Sequence, residues 1–412
     1  MSRGASERQA ASPLRILLRD ARAVDASGRR LRPGIAWHGG VLSAAATQRS
    51  AGWRRGLSDH LVFPGLVNAH DHLHLNVFPP LSAGGDADLV LPVRDVAEWV
   101  QAMRLRIERA DHVSLRALPA WVRAWHGALK NLLAGSTAVM HHDPPLGVFR
   151  RREFPVRVLQ KVGWAHSVGL AASYGPSLDA AWRGRAPGCP WFIHLAEGRG
   201  SRAAAEFKDL LRVTGPDAAL RLVHGVGLTR EDRRLAIASG MGLIACPISN
   251  QRLLGRPGPF RDFAAIGRAG LGSDSRVTGG RDLLAELRFA RSAGLASATQ
   301  LLSMVSDGAA RICGEPRLGR LLPGLSADLI IIVDDGRPPA AQLCSLERAD
   351  LRLVLRSGRP QVADRDFEGL FEATGTPWRQ VVLDGMPKLI ASQLLDPLDA
   401  ARIAEPGLEA CG

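Results

Sequence analysis

Two histidines, His70 and His72, follow a short apolar run at 61–67. The run predicts a short buried strand, and residues two apart on an extended strand point to the same face. Both imidazoles can therefore reach a single metal ion. A His-x-His pair is also common among surface or core histidines, so the metal hypothesis depends on the rest of the chain.

Strand-like and helix-like segments alternate downstream of this run. Helical periodicity covers about 93–110 and 115–134, among other stretches. The eight apolar, strand-like segments are 61–67, 136–140, 157–163, 169–174, 191–194, 220–224, 242–246 and 269–274. Eight such units predict a parallel α/β fold closed into a (β/α)8, TIM-like barrel. An open doubly wound sheet is the structural alternative, but no Gly-x-Gly-x-x-Gly loop follows any of these strands.

Short strand-like runs separated by turn residues occupy both ends of the chain. They predict a small β-sandwich domain to which both ends contribute. The expected division is a disordered tail at 1–13, a composite sandwich from 14–60 and 320–412 with a C-terminal extension, and the barrel at 61–319. The last ~45 residues give little beyond a predicted strand at 381–383.

Composition excludes several classes of protein. The formal charge of +13 comes from scattered arginines without a basic cluster, which argues against a nucleic-acid partner. Five cysteines without a Cys-x-x-Cys pair indicate neither a disulfide framework nor a thiolate zinc site, so a reducing cytoplasm is expected. The polar N-terminus lacks the apolar core of a signal peptide, and no run of about 18 apolar residues predicts a membrane span.

Histidines and one aspartate recur where the predicted strands end. They are His70, His72, His141, His142, His194, His224 and Asp274. In a parallel barrel the C-terminal ends of all strands open on one face, so these residues are expected to converge. Three imidazoles and a carboxylate suit a divalent ion such as Zn²⁺ or Fe²⁺.

Several motifs in order resemble the amidohydrolase superfamily, in particular its cytosine deaminase and triazine chlorohydrolase group. They are Pro-Gly-Leu-Val-Asn-Ala-His-Asp-His at 64–72, Ile-His-Leu-Ala-Glu at 193–197, Val-His-Gly at 223–225, Cys-Pro-Ile-Ser-Asn at 246–250 and Leu-Gly-Ser-Asp at 271–274. The stretch 319–330 is similar to the one that leads such chains back into their β-sandwich. The resemblance covers about residues 14–360.

The resemblance implies a role for each matching residue. The ligands of one catalytic divalent ion, Zn²⁺ with Fe²⁺ or Mn²⁺ as alternatives, would be His70, His72, His194 and Asp274. Asp274 would also orient the attacking water, Glu197 would shuttle the proton, and His224 would hydrogen-bond the water or the substrate. Binuclear members use a carboxylated lysine at the end of the fourth strand. Lys161 falls in the predicted third strand, which favours one metal.

The implied activity is hydrolysis of a non-peptide C–N bond by metal-activated water, above all deamination of an N-heterocyclic or amidine-like small molecule. A cyclic amide hydrolase or a hydrolytic dehalogenase on the same site is the alternative. A non-catalytic small-molecule-binding protein is the alternative of another class. Candidate substrate contacts are His141, His142, Ser249 and Asn250. The Ser-Asn-Asn that often follows the last aspartate is replaced by Ser275-Arg276, so cytosine or triazine specificity does not carry over. A homodimer is expected by analogy.

Overall fold

The structure is a computed structural model that describes residues 14–25, 27–43, 52–81, 85–86 and 89–411. The expected disordered tail, 1–13, lies outside the described residues. Within them, no helix is long and apolar enough to cross a membrane.

Strands and helices are numbered along the chain. The strands are β1 (Arg15–Val24), β2 (Arg30–His38), β3 (Val41–Ser43), β4 (Trp53–Gly56), β5 (His60–Pro64), β6 (Leu66–Asp71), β7 (Gly85–Asp86), β8 (Leu89–Val90), β9 (Ser136–His141), β10 (Arg157–Val158), β11 (Gly163–Ser167), β12 (Trp191–Leu195), β13 (Leu220–His224), β14 (Gly242–Ala245), β15 (Ala269–Leu271), β16 (Leu329–Val333), β17 (Leu353–Arg356), β18 (Arg359–Ala363), β19 (Trp378–Leu383), β20 (Met386–Ala391) and β21 (Leu408–Ala410). The α-helices are α1 (Val96–Ile107), α2 (Val113–Ala117), α3 (Ala120–Leu133), α4 (Ala171–Tyr174), α5 (Leu178–Arg183), α6 (Ser201–Thr214), α7 (Arg230–Ala238), α8 (Pro247–Leu254), α9 (Phe260–Ala265), α10 (Leu283–Ser292), α11 (Ala298–Met304), α12 (Asp307–Ile312), α13 (Pro339–Leu343), α14 (Glu368–Ala373) and α15 (Asp396–Ala401).

Parallel strands separated by helices form the middle of the chain, so the expected α/β class is confirmed. One sheet has the order β10-β9-β6 and the other the order β11-β12-β13-β14-β15. They meet between β15 and β6, where the Asp274 amide donates to the His70 carbonyl oxygen at 3.1 Å. Gly272 permits this approach, because an added Cβ would lie 2.6 Å from the Cβ of His70. Side chains from both sheets share a buried cluster that includes Val67, Met140 and Phe192.

Two strand predictions are corrected. The predicted strand at 61–67 is divided at Gly65 into β5 and β6. Only β6 belongs to the central parallel sheets and is their first strand, because β5 pairs with β1 and β16 instead. The fourth is β11, whereas the predicted segment 169–174 contains α4. Sequence periodicity misses β11 because it ends in His166 and Ser167, polar residues that do not resemble a buried strand.

Both ends of the described chain contribute to one eleven-stranded sheet. Its order is β21-β19-β20-β18-β17-β16-β5-β1-β2-β3, and β4 pairs with β1. The apolar strand β16 lies between β5 and β17 and is antiparallel to both. The N-terminal and C-terminal strands are thus hydrogen-bonded to each other, as the sequence predicts for a domain built from both ends.

The C-terminal extension reaches the loop that carries Asp274. The buried Glu405 carboxylate accepts two hydrogen bonds from the Arg276 guanidinium, at 2.6 and 2.8 Å, and one from Arg348 at 2.8 Å. The ring of His126 lies 3.1 Å from the same carboxylate. Arg276 follows Asp274 by two residues, so the extension fixes this loop through a buried ion pair.

We expect Glu405→Gln to lower the free energy of unfolding by about 3–5 kcal/mol, because it leaves the buried guanidinium of Arg276 without its carboxylate, whereas Arg348 keeps Asp384. Urea denaturation measures the change, with the exposed Glu409→Gln as the matched control. Equal stability of the two variants would contradict this role for the extension.

Candidate metal centre

Three buried imidazoles, those of His70, His72 and His194, converge where β6 and β12 end. The Nε2 atom of His194 lies 3.3 Å from that of His72 and 3.4 Å from that of His70. Each of the three offers a ligand atom within 4.8 Å of the others. The structure thus brings together three of the four predicted metal ligands in the geometry of a site for a cation.

Hydrogen bonds at the other ring nitrogens assign the tautomers of these imidazoles. Nδ1 of His72 donates to Asp143 at 2.6 Å, and Nδ1 of His194 donates to the carbonyl oxygen of His166 at 2.7 Å. His142 donates from Nε2 to the Ala165 carbonyl oxygen, and its Nδ1 accepts from Nδ1 of His70 at 3.3 Å. When the three rings are neutral, all three converging Nε2 atoms therefore carry lone pairs, which repel one another unless a cation lies between them. This donor set fits a divalent metal.

Burial and charge act in opposite directions on these rings. Burial, followed by neighbouring imidazoles, holds the pKa of His70 and of His194 well below the ordinary value, so both rings are neutral. Burial also disfavours the charged form of His72, but the Asp143 carboxylate overcomes it and raises the pKa to about 9. Asp143 thus holds a proton at Nδ1 of His72 and, without a metal ion, also favours a second proton at Nε2, which a bound cation would replace.

Asp274, the fourth predicted ligand, lies beside the imidazoles. Its Oδ1 atom is 3.8 Å from Nε2 of His72 and 4.0 Å from Nε2 of His70. The Ser249 hydroxyl donates to its Oδ2 atom at 2.6 Å, and the Ser275 amide donates to Oδ1 at 2.7 Å. Burial opposes the charged form, but His72, His224 and these hydrogen bonds outweigh it and lower the pKa of Asp274. Its φ of 54° is unfavourable for a residue other than glycine and is typical of functional sites.

Glu197 and His224 form a second pair of buried side chains near Asp274 and the imidazoles. Their Oε2 and Nε2 atoms are 3.7 Å apart, and both side chains are buried. Nδ1 of His224 donates to Oδ1 of Asn250 at 2.8 Å, so its Nε2 atom is an acceptor. Burial raises the pKa of Glu197, which favours its protonated form more than in an exposed glutamate.

A fully buried polar network lies beneath the imidazoles. Nζ of Lys130 donates to Asp71 at 2.9 Å and to Oδ1 of Asn76 at 2.8 Å, and the Ser273 hydroxyl donates to the same carboxylate at 2.8 Å. Helix α3 comes close enough to supply Lys130 because of Gly127, where an added Cβ would lie 2.1 Å from the Leu73 carbonyl oxygen. The network therefore fixes Asp71, the residue between His70 and His72.

A cavity of about 490 Å³ opens next to the metal centre. His72, His194, Glu197, His224 and Asp274 all line it. Apolar side chains of α1, including Trp99, Val100 and Met103, form much of the remaining wall, together with His166, whose ring stacks on Tyr174 at 4.2 Å. A cavity of this size accommodates a small organic ligand.

The predicted substrate contacts separate into two groups. His141 lines the cavity. His142, Ser249 and Asn250 are absent from the described lining and bond His70, Asp274 and His224 instead. Sequence reasoning missed Asp143, although it directly follows His142, and it also missed Lys130. It did not predict that α1 forms part of the cavity wall, because that wall depends on how loops pack.

A second group of possible ligands, His74, His141 and Asp143, also borders the cavity. Its members are already used: Nδ1 of His141 accepts from the Leu73 amide at 3.2 Å, and Asp143 accepts from His72. Nδ1 of His74 lies 3.6 Å from Asp143. Through the hydrogen bond between Asp143 and His72, this group therefore helps to orient a proposed ligand of the first site.

Residues 186–361 match the model of the amidohydrolase family, in agreement with the motifs at 193–197, 223–225, 246–250 and 271–274. Among curated proteins, 166 residues are 31% identical to 8-oxoguanine deaminase of Pseudomonas aeruginosa, over 36% of each chain. The chain is 29% identical over 167 residues to 5-methylthioadenosine/S-adenosylhomocysteine deaminase of Pelotomaculum thermopropionicum, over 36% of this chain and 38% of the relative. The match thus spans little more than a third of either relative.

Solved structures resemble the chain over most of its length. Atrazine chlorohydrolase from Arthrobacter aurescens, complexed with zinc, has a TM-score of 0.67 at 20% identity, over 87% of this chain and 99% of that one. An adenosine deaminase from Xanthomonas campestris with bound zinc has a TM-score of 0.65 at 19% identity, over 88% and 98%. At this level of identity the likeness shows a common fold.

We expect Lys130→Met to destabilise the protein by about 3–5 kcal/mol, because it leaves the Asp71 carboxylate buried without its cation. Adding Asp71→Asn should recover part of the loss, since the buried charge is then gone as well. Urea denaturation measures both changes, and the exposed Lys161→Met is the control. A double variant less stable than Lys130→Met would contradict the pairing.

Proposed function

We propose that this chain is a metal-dependent amidohydrolase that hydrolyses a non-peptide C–N bond, as a deaminase of an N-heterocyclic or amidine-like small molecule. The observation that carries the proposal is the convergence of three lone-pair-bearing Nε2 atoms, from His70, His72 and His194, beside Asp274. Glu197 and His224 border the same cavity. The similarity to deaminases supports this class of reaction.

We also propose that the eight parallel strands close into a (β/α)8 barrel at 61–319, with the site at the C-terminal ends of its strands. The contact between β15 and β6 and the likeness to solved structures support closure. The eleven-stranded sheet would then be the composite sandwich of 14–60 and 320–412, with β5 attached to it. A homodimer and a cytoplasmic location stay predictions.

The proposed ligands hold one divalent ion, zinc in preference to iron or manganese. The two solved relatives with zinc support this choice, and so does the absence of a lysine at the end of β11, the fourth parallel strand. When bound, such an ion supplies the Lewis acidity that makes water nucleophilic near neutral pH. Lys161, the only lysine near this strand, is exposed and precedes it.

Side chains orient the water and carry out the proton transfers of the reaction. An Asp274 oxygen accepts a proton from the attacking water and orients it. Glu197, whose pKa is raised by burial, gives a proton to a ring nitrogen or to the leaving group. Nε2 of His224 accepts a hydrogen bond from water or substrate, because Asn250 holds the other nitrogen. His141 stays a candidate substrate contact, whereas His142, Ser249 and Asn250 orient the residues that they bond.

Metal content is the first test. We expect about one equivalent of zinc, iron or manganese per chain by elemental analysis, and its loss in His194→Ala and in Asp274→Ala, because each removes a ligand. His38→Ala, on an exposed histidine, is the control that keeps the metal. Metal retained in both ligand variants, or never bound by the reconstituted wild type, would refute the site.

Turnover is the second test. Purines, pyrimidines and triazines would be screened for ammonia release, with chloride release and ring opening as readouts for the alternative reactions. On the best substrate, Glu197→Gln should lower kcat by about 10²–10⁴-fold with unchanged metal content, because the proton donor is lost. The exposed Glu231→Gln serves as the control. Undiminished turnover in Glu197→Gln would exclude the assigned role, and absence of any turnover would favour a binding protein.

A further inference from the structure

Arg123 is a cation at the cavity that the proposed reaction does not use. It lies on α3 three residues after Ala120, and both line the cavity. Its Nε atom is buried, and no described residue gives that atom a hydrogen-bond partner. A buried donor without a partner is costly, so the site around Arg123 is incomplete without an acceptor.

The carboxylates of the cavity are already engaged elsewhere. Asp143 accepts from His72, Asp274 accepts from Ser249, and Glu197 faces His224. Among the described residues, none forms an ion pair with Arg123, and burial lowers the pKa of its guanidinium with no opposing contribution from an acid. The described part of the chain therefore does not neutralise the positive charge at this wall.

The neighbours of Arg123 argue for an anion and against a second metal ion. Arg123 lines the same cavity as His74, His141 and Asp143. Its positive charge therefore opposes a second cation at these three residues. Arg104, which donates to the Tyr174 hydroxyl at 3.2 Å, is a further cavity cation with no carboxylate partner in the described part of the chain.

We propose that Arg123 binds a carboxylate of the substrate, so that the compound hydrolysed here is an N-heterocycle or amidine that carries an acidic substituent. This inference rests on the proposed function for the reaction itself. A planar carboxylate matches a single guanidinium through paired hydrogen bonds. The cavity of about 490 Å³ has room for a ring and a substituent, with the apolar side chains of α1 against the ring.

Binding of two matched pairs of probes tests the proposal. The pairs are quinoline-6-carboxylate with 6-(hydroxymethyl)quinoline and pyridine-3-carboxylate with 3-(hydroxymethyl)pyridine, titrated calorimetrically into the metal-loaded protein. The wild type should bind the better carboxylate about tenfold or more tightly than its alcohol, as charge-assisted hydrogen bonds predict. Arg123→Gln should lose this preference, and Arg123→Lys should keep part of it. Arg116→Gln removes an exposed arginine outside the cavity and should behave as the wild type.

Two results would overturn the proposal. One is a wild type without a preference for either carboxylate, whether or not it binds the alcohols. The other is an unchanged preference in Arg123→Gln, which would mean that the carboxylate binds the metal or another cation. The probes contain no exocyclic C–N bond to hydrolyse, so their binding is independent of turnover. If the protein has no hydrolytic activity but its preference for the carboxylate probe depends on Arg123, the anion site is supported and only the proposed function is refuted.

Discussion

The buried ion pair between Lys130 and Asp71 is the interaction on which the candidate site depends. Asp71 separates His70 from His72, and it accepts hydrogen bonds from α3 and from Ser273, which precedes Asp274. One carboxylate therefore links the strand that carries His70, the helix behind it and the segment that carries Asp274. Because both side chains of the pair are fully buried, each charge needs its complete set of hydrogen-bond partners. The loss of one partner therefore also disturbs the positions of the proposed metal ligands.

Around this anchor, each functional side chain is oriented by a neighbour from another element. Asp143 and His142, from the end of β9, set the tautomers of His72 and His70, and Asn250 on α8 does so for His224. Such partners fix ring orientation in metal sites as firmly as the ligands themselves. The positive φ angles of His224 and Asp274 show that the backbone accepts strain to complete this arrangement.

The sequence predicted where the candidate ligands lie but not what surrounds them. Because strand ends in a parallel α/β fold share one face, periodicity predicts that the strand-end histidines and Asp274 converge, whereas the family resemblance implies which of them are ligands. The strand at Gly163–Ser167 was missed because its last two residues, His166 and Ser167, are polar and remove the apolar pattern of a buried strand. Lys130 and Arg123 could not be found, since a helix that presents one lysine inward and one arginine to a cavity has no local pattern that distinguishes it from a surface helix.

The C-terminal extension is connected by hydrogen bonds to the same buried network and helps to hold it in place. Glu405 holds Arg276, the Arg276 amide donates to Asn76 at 2.9 Å, and the Asn76 amide group donates to Asp71 at 2.7 Å. Burial raises the pKa of Glu405, but hydrogen bonding with His126 and the charge of Arg276 outweigh it, so the pKa is lowered and the group is anionic. A continuous polar path thus connects the last strands to the residue between the metal-site histidines. Because Glu405 holds the Arg276 guanidinium, that side chain is absent from the described lining of the cavity, and the wall comes from Ser275, α1, α3 and the loops around His141 and His166.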